Sequence, residues 1–209
     1  MIKILLVRHG QSESNNVKRL TGQIDSPLSE LGVRQAQKVC DFVYKNYQVD
    51  AIYSSDLSRA VQTVEPLSKL TGLQVNKTDA LREINAGKWQ GQKICELETQ
   101  PLYKKWREQD LAMKTPGGES FLEVKERAKN KIEEIVKKHT DNTVVVCLHG
   151  GTIKMLASWI LDIPPSRWKE IKYVSNASLT VIEYDGSYKL TTTFDDYLGD
   201  LTSKMPKGV

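Results

Sequence analysis

The sequence predicts an α/β fold, a three-layer domain whose mostly parallel central sheet is flanked by helices. Ile2 to Val7 and Thr143 to Leu148 are near-continuous apolar runs, as expected of strands buried on both faces. Further short strand-like runs alternate along the chain with segments of helical periodicity. Both long apolar runs stop at a histidine followed by glycine, His9-Gly10 and His149-Gly150. In open α/β sheets ligands bind at the carboxyl ends of strands, so both imidazoles stand where chemistry is done.

The elements follow in order. After the first strand, Gly10 lets the backbone turn, and a short helix is expected around Glu13 to Leu20. Ser29 is a good N-cap for a helix reaching about Lys45, with Val33, Ala36, Val39, Cys40, Val43 and Tyr44 on its apolar face. Val49 to Tyr53 reads as a strand. The helix after Ser54-Ser55-Asp56 carries Arg59, is open to a kink at Pro66 and ends at Gly72, and Leu73 to Val75 is a further strand. Leu81 to Trp89 is loop, and Ile94 to Leu111 holds one or two short helices broken at Pro101. A long helix starts at Glu119 or Ser120 and ends near His139, which is expected to serve as a cation at the helix C-terminus. After the strand 143–148 comes a helix over 150–161, closed by Pro164-Pro165. Two alternating runs around Asp185-Gly186 form a hairpin.

At 209 residues, the chain is expected to form a single domain over 1–209, with a loose tail after about Gly199. The net charge of +4 suits anionic small molecules, and there is no basic stripe with interleaved aromatics to suggest nucleic acid. No run is long enough for a membrane span, and the N-terminal run is too short for a signal-peptide core. Cys40, Cys95 and Cys147 are scattered without metal-ligand spacing, and the first and last sit in apolar patterns as buried thiols. The expectation is a cytoplasmic enzyme, monomer or homodimer, without disulfides, bound metal or cofactor.

If the strands are parallel neighbours, Arg8, His9, Arg59, Glu83 and His149 converge at one rim. Two arginines offer planar forks that match a phosphate, and backbone N–H groups after Gly10 would add donors. Two cations, two imidazoles and a carboxylate suit phosphoryl transfer through a histidine nucleophile.

At this point the sequence resembles the histidine phosphatase superfamily, the phosphoglycerate mutase-like proteins. Leu6-Val7-Arg8-His9-Gly10-Gln11-Ser12 with Asn15 is similar to the family's opening motif. Five more blocks follow in the family's order: Thr21-Gly22 with Asp25-Ser26-Pro27, Ser54 to Ala60, Leu81-Arg82-Glu83 with Gly87 and Trp89, Pro116 to Ser120, and His149-Gly150. The resemblance implies that His9 is the nucleophile. It implies that Arg8, Arg59 and His149 hold the phosphoryl oxygens, with Asn15, Thr21, Gly22 and Gly150 around the substrate. Glu83 would protonate the leaving alcohol and then help water attack the phosphohistidine. A nucleophilic imidazole must be neutral, which adjacent cations favour, and an acid beside a dianion must hold its proton. Asn15 and Thr21 serve equally well as capping or turn residues.

The family holds phosphatases and mutases on one core, so the fold alone does not fix the activity. A short stretch from Gly91 to Pro116, Gly151 where the mutases usually carry asparagine, and Asn176-Ala177-Ser178 before a strand all resemble the phosphatase branch. The expected activity is therefore a metal-independent phosphatase for small phosphorylated metabolites. The alternatives are a cofactor-dependent phosphoglycerate mutase and a non-catalytic phospho-ligand binder. The variable segment 91–116 should cover the site and set specificity through Tyr103 and Trp106, with Lys104, Lys105 and Arg107 nearby. The C-terminal Phe194-Asp195-Asp196-Tyr197 departs from the polar motif often found there, which puts any pocket contact from it in doubt.

Overall fold

The computed structural model describes residues 1–108 and 111–201. Its strands are β1 (Ile2–Arg8), β2 (Ala51–Ser55), β3 (Val75–Thr78), β4 (Thr143–Leu148), β5 (Leu179–Tyr184) and β6 (Tyr188–Phe194). They form one mixed sheet in the order β3-β2-β4-β1-β5-β6. β3, β2, β4 and β1 are parallel, β5 is antiparallel to β1, and β6 to β5. The helices are α1 (Glu13–Asn16), α2 (Glu30–Asn46), α3 (Ser58–Thr71), α4 (Ile94–Leu97), α5 (Pro101–Glu108), α6 (Phe121–Lys138) and α7 (Gly150–Ile160). No helix among the described residues is long and apolar enough to cross a membrane.

Side-chain alternation along β1 builds the three layers. Leu5 and Val7 pack with Val39, Val43, Ala60 and Val64 of α2 and α3. Ile4 and Leu6 face the other way, onto Ile132 and Ile135 of α6 and Ile153 and Leu156 of α7. A third apolar cluster lies outside these layers and joins α4, α5 and the start of α6, through Trp89, Tyr103, Trp106, Phe121 and Trp168.

The helix ends follow their sequence signals. Ser29 accepts from the Gly32 N–H, and Ser120 with Glu123 forms a capping box on α6. Gly72 closes α3 at φ 74°. Leu57 offers α3 no side-chain cap, and Asp25 supplies one from a distant loop, accepting the Ser58 N–H at 2.8 Å.

Several elements differ from the sequence expectation. α1 is a single turn, because Lys18 adopts φ 52° and the Leu20 N–H turns away to the Gln92 carbonyl. Val33 and Tyr44 are exposed. α2 instead turns Gly32 and Gln35 toward the chain after β1, and buries Ala36, Val39, Cys40 and Val43. β3 starts at Val75, since Leu73 belongs to the turn after α3, bonded to Ser68 and Thr71. His139 does cap α6, but burial first and Lys138 second lower its pKa, which makes it a neutral cap beside the Tyr53 hydroxyl (3.0 Å). The end of the chain is held as far as Leu201, whose carbonyl accepts from Gln35, while Tyr197 stacks on Phe42 and Leu198 is buried. The rest of the expected loose tail, 202–209, lies outside the described residues.

Gly10 does not supply a left-handed turn. Its need is closeness, because a Cβ there would stand 2.7 Å from the Gly32 carbonyl oxygen, and one on Gly32 would stand 2.0 Å from that of Gln11. The segment after β1 is thus pressed directly onto the start of α2. Gly32→Ala forces two backbones apart and should destabilise the protein by roughly 2–3 kcal/mol, read as a lower urea midpoint at unchanged slope. An unchanged midpoint would show that the contact gives way freely.

Candidate active site

β1 and β4 pair with Val7 opposite Cys147 and Arg8 opposite Leu148. The next residue on each strand is a histidine, so the register sets His9 and His149 side by side at the carboxyl edge of the sheet. Their ring centroids are 5.0 Å apart, and both residues are buried. His9 Nδ1 lies 2.6 Å from the Gly10 carbonyl oxygen. A carbonyl only accepts, so Nδ1 carries the hydrogen and Nε2 is left with its lone pair. The Asn176 side chain donates to the His9 carbonyl at 3.0 Å and fixes the backbone behind the ring. The pKa of His9 lies well below 6.5, through burial first and the charges of Arg59 and Arg8 second. The cations expected to keep the ring neutral are therefore the smaller cause.

His149 is held from both sides. Its Nε2 lies 2.9 Å from the Ser55 hydroxyl at the end of β2, and its Nδ1 accepts from Arg59 Nε at 3.3 Å. Burial, then Arg59, depress its pKa as well. Arg59, in the first turn of α3, is itself buried and donates to the carbonyls of Ile24 (2.9 Å) and Gly22 (2.8 Å). It ties the 21–24 loop, including the buried Thr21, to the edge of β4. Burial lowers its pKa to about 10, which leaves it charged at neutral pH. Arg8 donates to the Val174 carbonyl and lines the same cavity.

Asn15 lines that cavity and also completes a capping box with Ser12. The N–H groups expected to serve an anion after Gly10 are engaged elsewhere. Gly10 donates to Thr63, Gln11 to Gln35 and Ser12 to Asn15. The helix that does open onto the site is α7, through Gly150 and Gly151.

Glu83 is seated on that helix. Its Oε2 accepts from the Gly151 N–H and its Oε1 from the Ile84 N–H, both at 2.9 Å. A Cβ on Gly151 would fall 2.4 Å from Oε1, so only glycine leaves room for the carboxylate. The loop bearing Glu83 is clamped from below by Arg127 of α6. Arg127 donates to the carbonyls of Ala80 (2.9 Å), Arg82 (2.7 Å) and Glu83 (3.0 Å), and pairs with Glu119 (2.8 Å). Glu119 in turn accepts the Asn85 N–H at 2.7 Å. Sequence reasoning missed both Arg127 and Ser55. The available signal for Arg127 was a cation beside the buried stripe of Val124, Ala128, Ile132 and Ile135.

Arg8, His9, Arg59 and Glu83 line a cavity of about 750 Å³, whereas His149 is fully buried and is not part of its wall. Tyr103 and Trp106 of the 91–116 segment line it, yet both are also core residues. Their rings pack 5.5 Å apart, and Trp106 stacks on Phe121 at 5.2 Å. Lys104 and Arg107 line the cavity, whereas Lys105 points to solvent. Gln109 and Asp110 of this segment lie outside the described residues. From the Phe194–Tyr197 stretch, Asp195 accepts from the Ser175 hydroxyl and Tyr197 donates to the Ala177 carbonyl, and neither lines the cavity.

Residues 4–196 match the histidine phosphatase superfamily (branch 1). A phosphoserine phosphatase 1 of Hydrogenobacter thermophilus is 34% identical over 88% of this chain and 88% of its own. A probable phosphoglycerate mutase of Yersinia pestis is 31% identical over 90% of this chain and 87% of its own. Among solved structures, a mycobacterial glucosyl-3-phosphoglycerate phosphatase in complex with VO3 superposes with a TM-score of 0.83 at 34% identity, covering 90% of this chain and 96% of that one.

The buried pair makes stability depend on pH. Both imidazoles titrate lower in the folded protein than in the unfolded chain, which takes up protons first as pH falls below about 6.5. Stability is therefore full above that pH and is lost below it, with a limiting slope from two protons of about 3 kcal/mol per pH unit. Urea unfolding between pH 7.5 and 5 should show the loss, and His149→Gln should make it shallower. A flat profile would mean that the rings are not buried as neutral bases.

Proposed function

The chain belongs to the histidine phosphatase superfamily, and we propose that it is a metal-independent phosphatase hydrolysing small phosphate monoesters through a phosphohistidine at His9. The reading is carried by His9 itself. The Gly10 carbonyl fixes its tautomer, so a neutral Nε2 lone pair shares one cavity with the guanidinium groups of Arg8 and Arg59 and the carboxyl group of Glu83.

The substrate's phosphoryl oxygens take the charge of Arg8 and Arg59, with His149 beside them. His9 Nε2 attacks phosphorus and the ester P–O bond breaks, while the proton of Glu83 passes to the departing oxygen. The alcohol leaves, and Glu83 remains as a carboxylate beside phosphohistidine. Water then attacks phosphorus and gives its proton to Glu83, and the P–N bond breaks, releasing inorganic phosphate and neutral His9. The arginines stabilise the charge that spreads over the equatorial oxygens in transit. Asn15, Thr21, Gly22 and Gly150 complete the wall around the phosphoryl group. In this reading the charge of the phosphoryl group is met by the protein's own cations, Arg8 and Arg59, which line the cavity.

A mutase is the second reading, favoured by the Yersinia pestis relative. Against it stand the phosphatases at higher identity and the short segment between Gly91 and Pro116. A pure phospho-ligand binder would need the cations without the nucleophile and acid. Specificity is assigned to the groups that meet the leaving alcohol, Tyr103 and Trp106 among them. Free thiols at Cys40, Cys95 and Cys147 fit a cytoplasmic setting.

His9→Ala should abolish turnover of p-nitrophenyl phosphate and the labelled phosphoenzyme, which in the native protein should be acid-labile and base-stable. Chelation should leave the rate intact. An acid-stable phosphoenzyme, or a rate restored only by a divalent ion, would overturn the reading.

Glu83→Gln offers an independent test of the acid. Loss of kcat/KM should be on the order of a hundredfold or more on alkyl phosphates, and far smaller on p-nitrophenyl phosphate, whose leaving group departs without a proton. Equal losses on both would remove Glu83 from the role of proton donor.

A further inference from the structure

We propose that Lys154 forms, against the faces of Trp168 and Tyr173, a subsite for a carboxylate carried by the leaving alcohol; the assignment rests on the phosphatase reading of this same cavity. Lys154 is the single charged residue of α7. It is only 6% exposed, yet it lines the cavity that holds His9 and Glu83. Its ammonium stands 4.1 Å from the Trp168 ring centroid and 4.6 Å from that of Tyr173. Among the described residues, no carboxylate pairs with it.

Its position relative to the chemistry follows from helix geometry. Gly151, whose N–H holds Glu83, and Lys154 are three residues apart, so they share a face of α7 about one turn apart. With the phosphoryl group on His9 and the proton donor at Glu83, the substituents of the departing alcohol extend toward that next turn. The wall they meet is rich in cations and poor in acceptors. Arg107 and Lys169 lie close enough to Lys154 to lower its pKa to about 8, although burial is the larger cause. Apart from Glu83, Glu98 is the one carboxylate among the described residues that line the cavity. The indole N–H groups of Trp106 and Trp168 are buried without an acceptor. A buried ammonium without a counter-charge is costly, and an incoming anion relieves that cost. Ring faces favour the cation but leave its hydrogens unsatisfied, which a carboxylate oxygen can complete.

The test uses a matched pair, 3-phosphoglycerate and glycerol 3-phosphate, which differ at the carboxylate. The native enzyme should favour the former in kcat/KM by roughly tenfold or more. Lys154→Met, which keeps an apolar stem in the aromatic box, should erase that ratio, and Lys154→Arg should restore most of it. Calorimetric binding of the same two compounds to the His9→Ala protein, with and without Lys154→Met, reads the subsite without turnover. It thereby separates failure of the subsite from failure of the phosphatase reading. A native ratio near one, or a ratio unchanged by Lys154→Met, overturns the proposal. So does stronger binding of propane-1,3-diyl bisphosphate than of 3-phosphoglycerate, which would assign the wall to a second phosphate.

Discussion

The parallel register of β1 against β4 is the constraint on which the site depends. Arg8 opposite Leu148 leaves the next two positions, His9 and His149, at the same height on the sheet edge. A slip of one residue would send every side chain of a strand to the opposite face and part the rings. The same pairing buries Ile4, Leu6, Val144 and Val146 in one apolar layer and Leu5, Val7, Val145 and Cys147 in the other. The hydrophobic pattern that stabilises the sheet therefore also sets the distance between the imidazoles.

Around that edge, each charged group is tied to backbone as well as to its neighbour. Arg59 holds two loop carbonyls, Arg127 three, and Glu83 rests on two N–H groups. Donors and acceptors so fixed need little reorganisation when charge moves, and this preorganisation is the main source of electrostatic catalysis. Burial serves the same end at His9, where it keeps the ring unprotonated more effectively than the adjacent arginines.

Strands, caps and the five rim residues were legible because each is written locally. Apolar runs mark β1 and β4, Ser29 and Ser120 mark helix starts, and a His-Gly pair ends each long strand. What the sequence hid was tertiary. Gly10 reads as a turn residue, and its true demand, contact with Gly32, depends on how α2 docks. The N–H groups after Gly10 look available until Thr63 and Gln35 arrive from other helices. Arg127 lies more than forty positions from the loop it clamps. Val33 and Tyr44 have helical spacing that fits the apolar stripe, but the docking angle of α2 leaves them in solvent.

The two halves of the cavity differ in how freely they can change. Tyr103 and Trp106 belong to the stack that also fills the third apolar cluster, so altering a ring there opens a void and costs several kcal/mol against a margin of about ten. Lys104 and Arg107 line the cavity from the same short helix, and Lys104 is exposed, so exchanging it removes little buried surface. For a descendant of this chain, the accessible evolutionary route to a new substrate runs through the cations of the cavity wall, while the aromatic roof stays fixed by selection for folding.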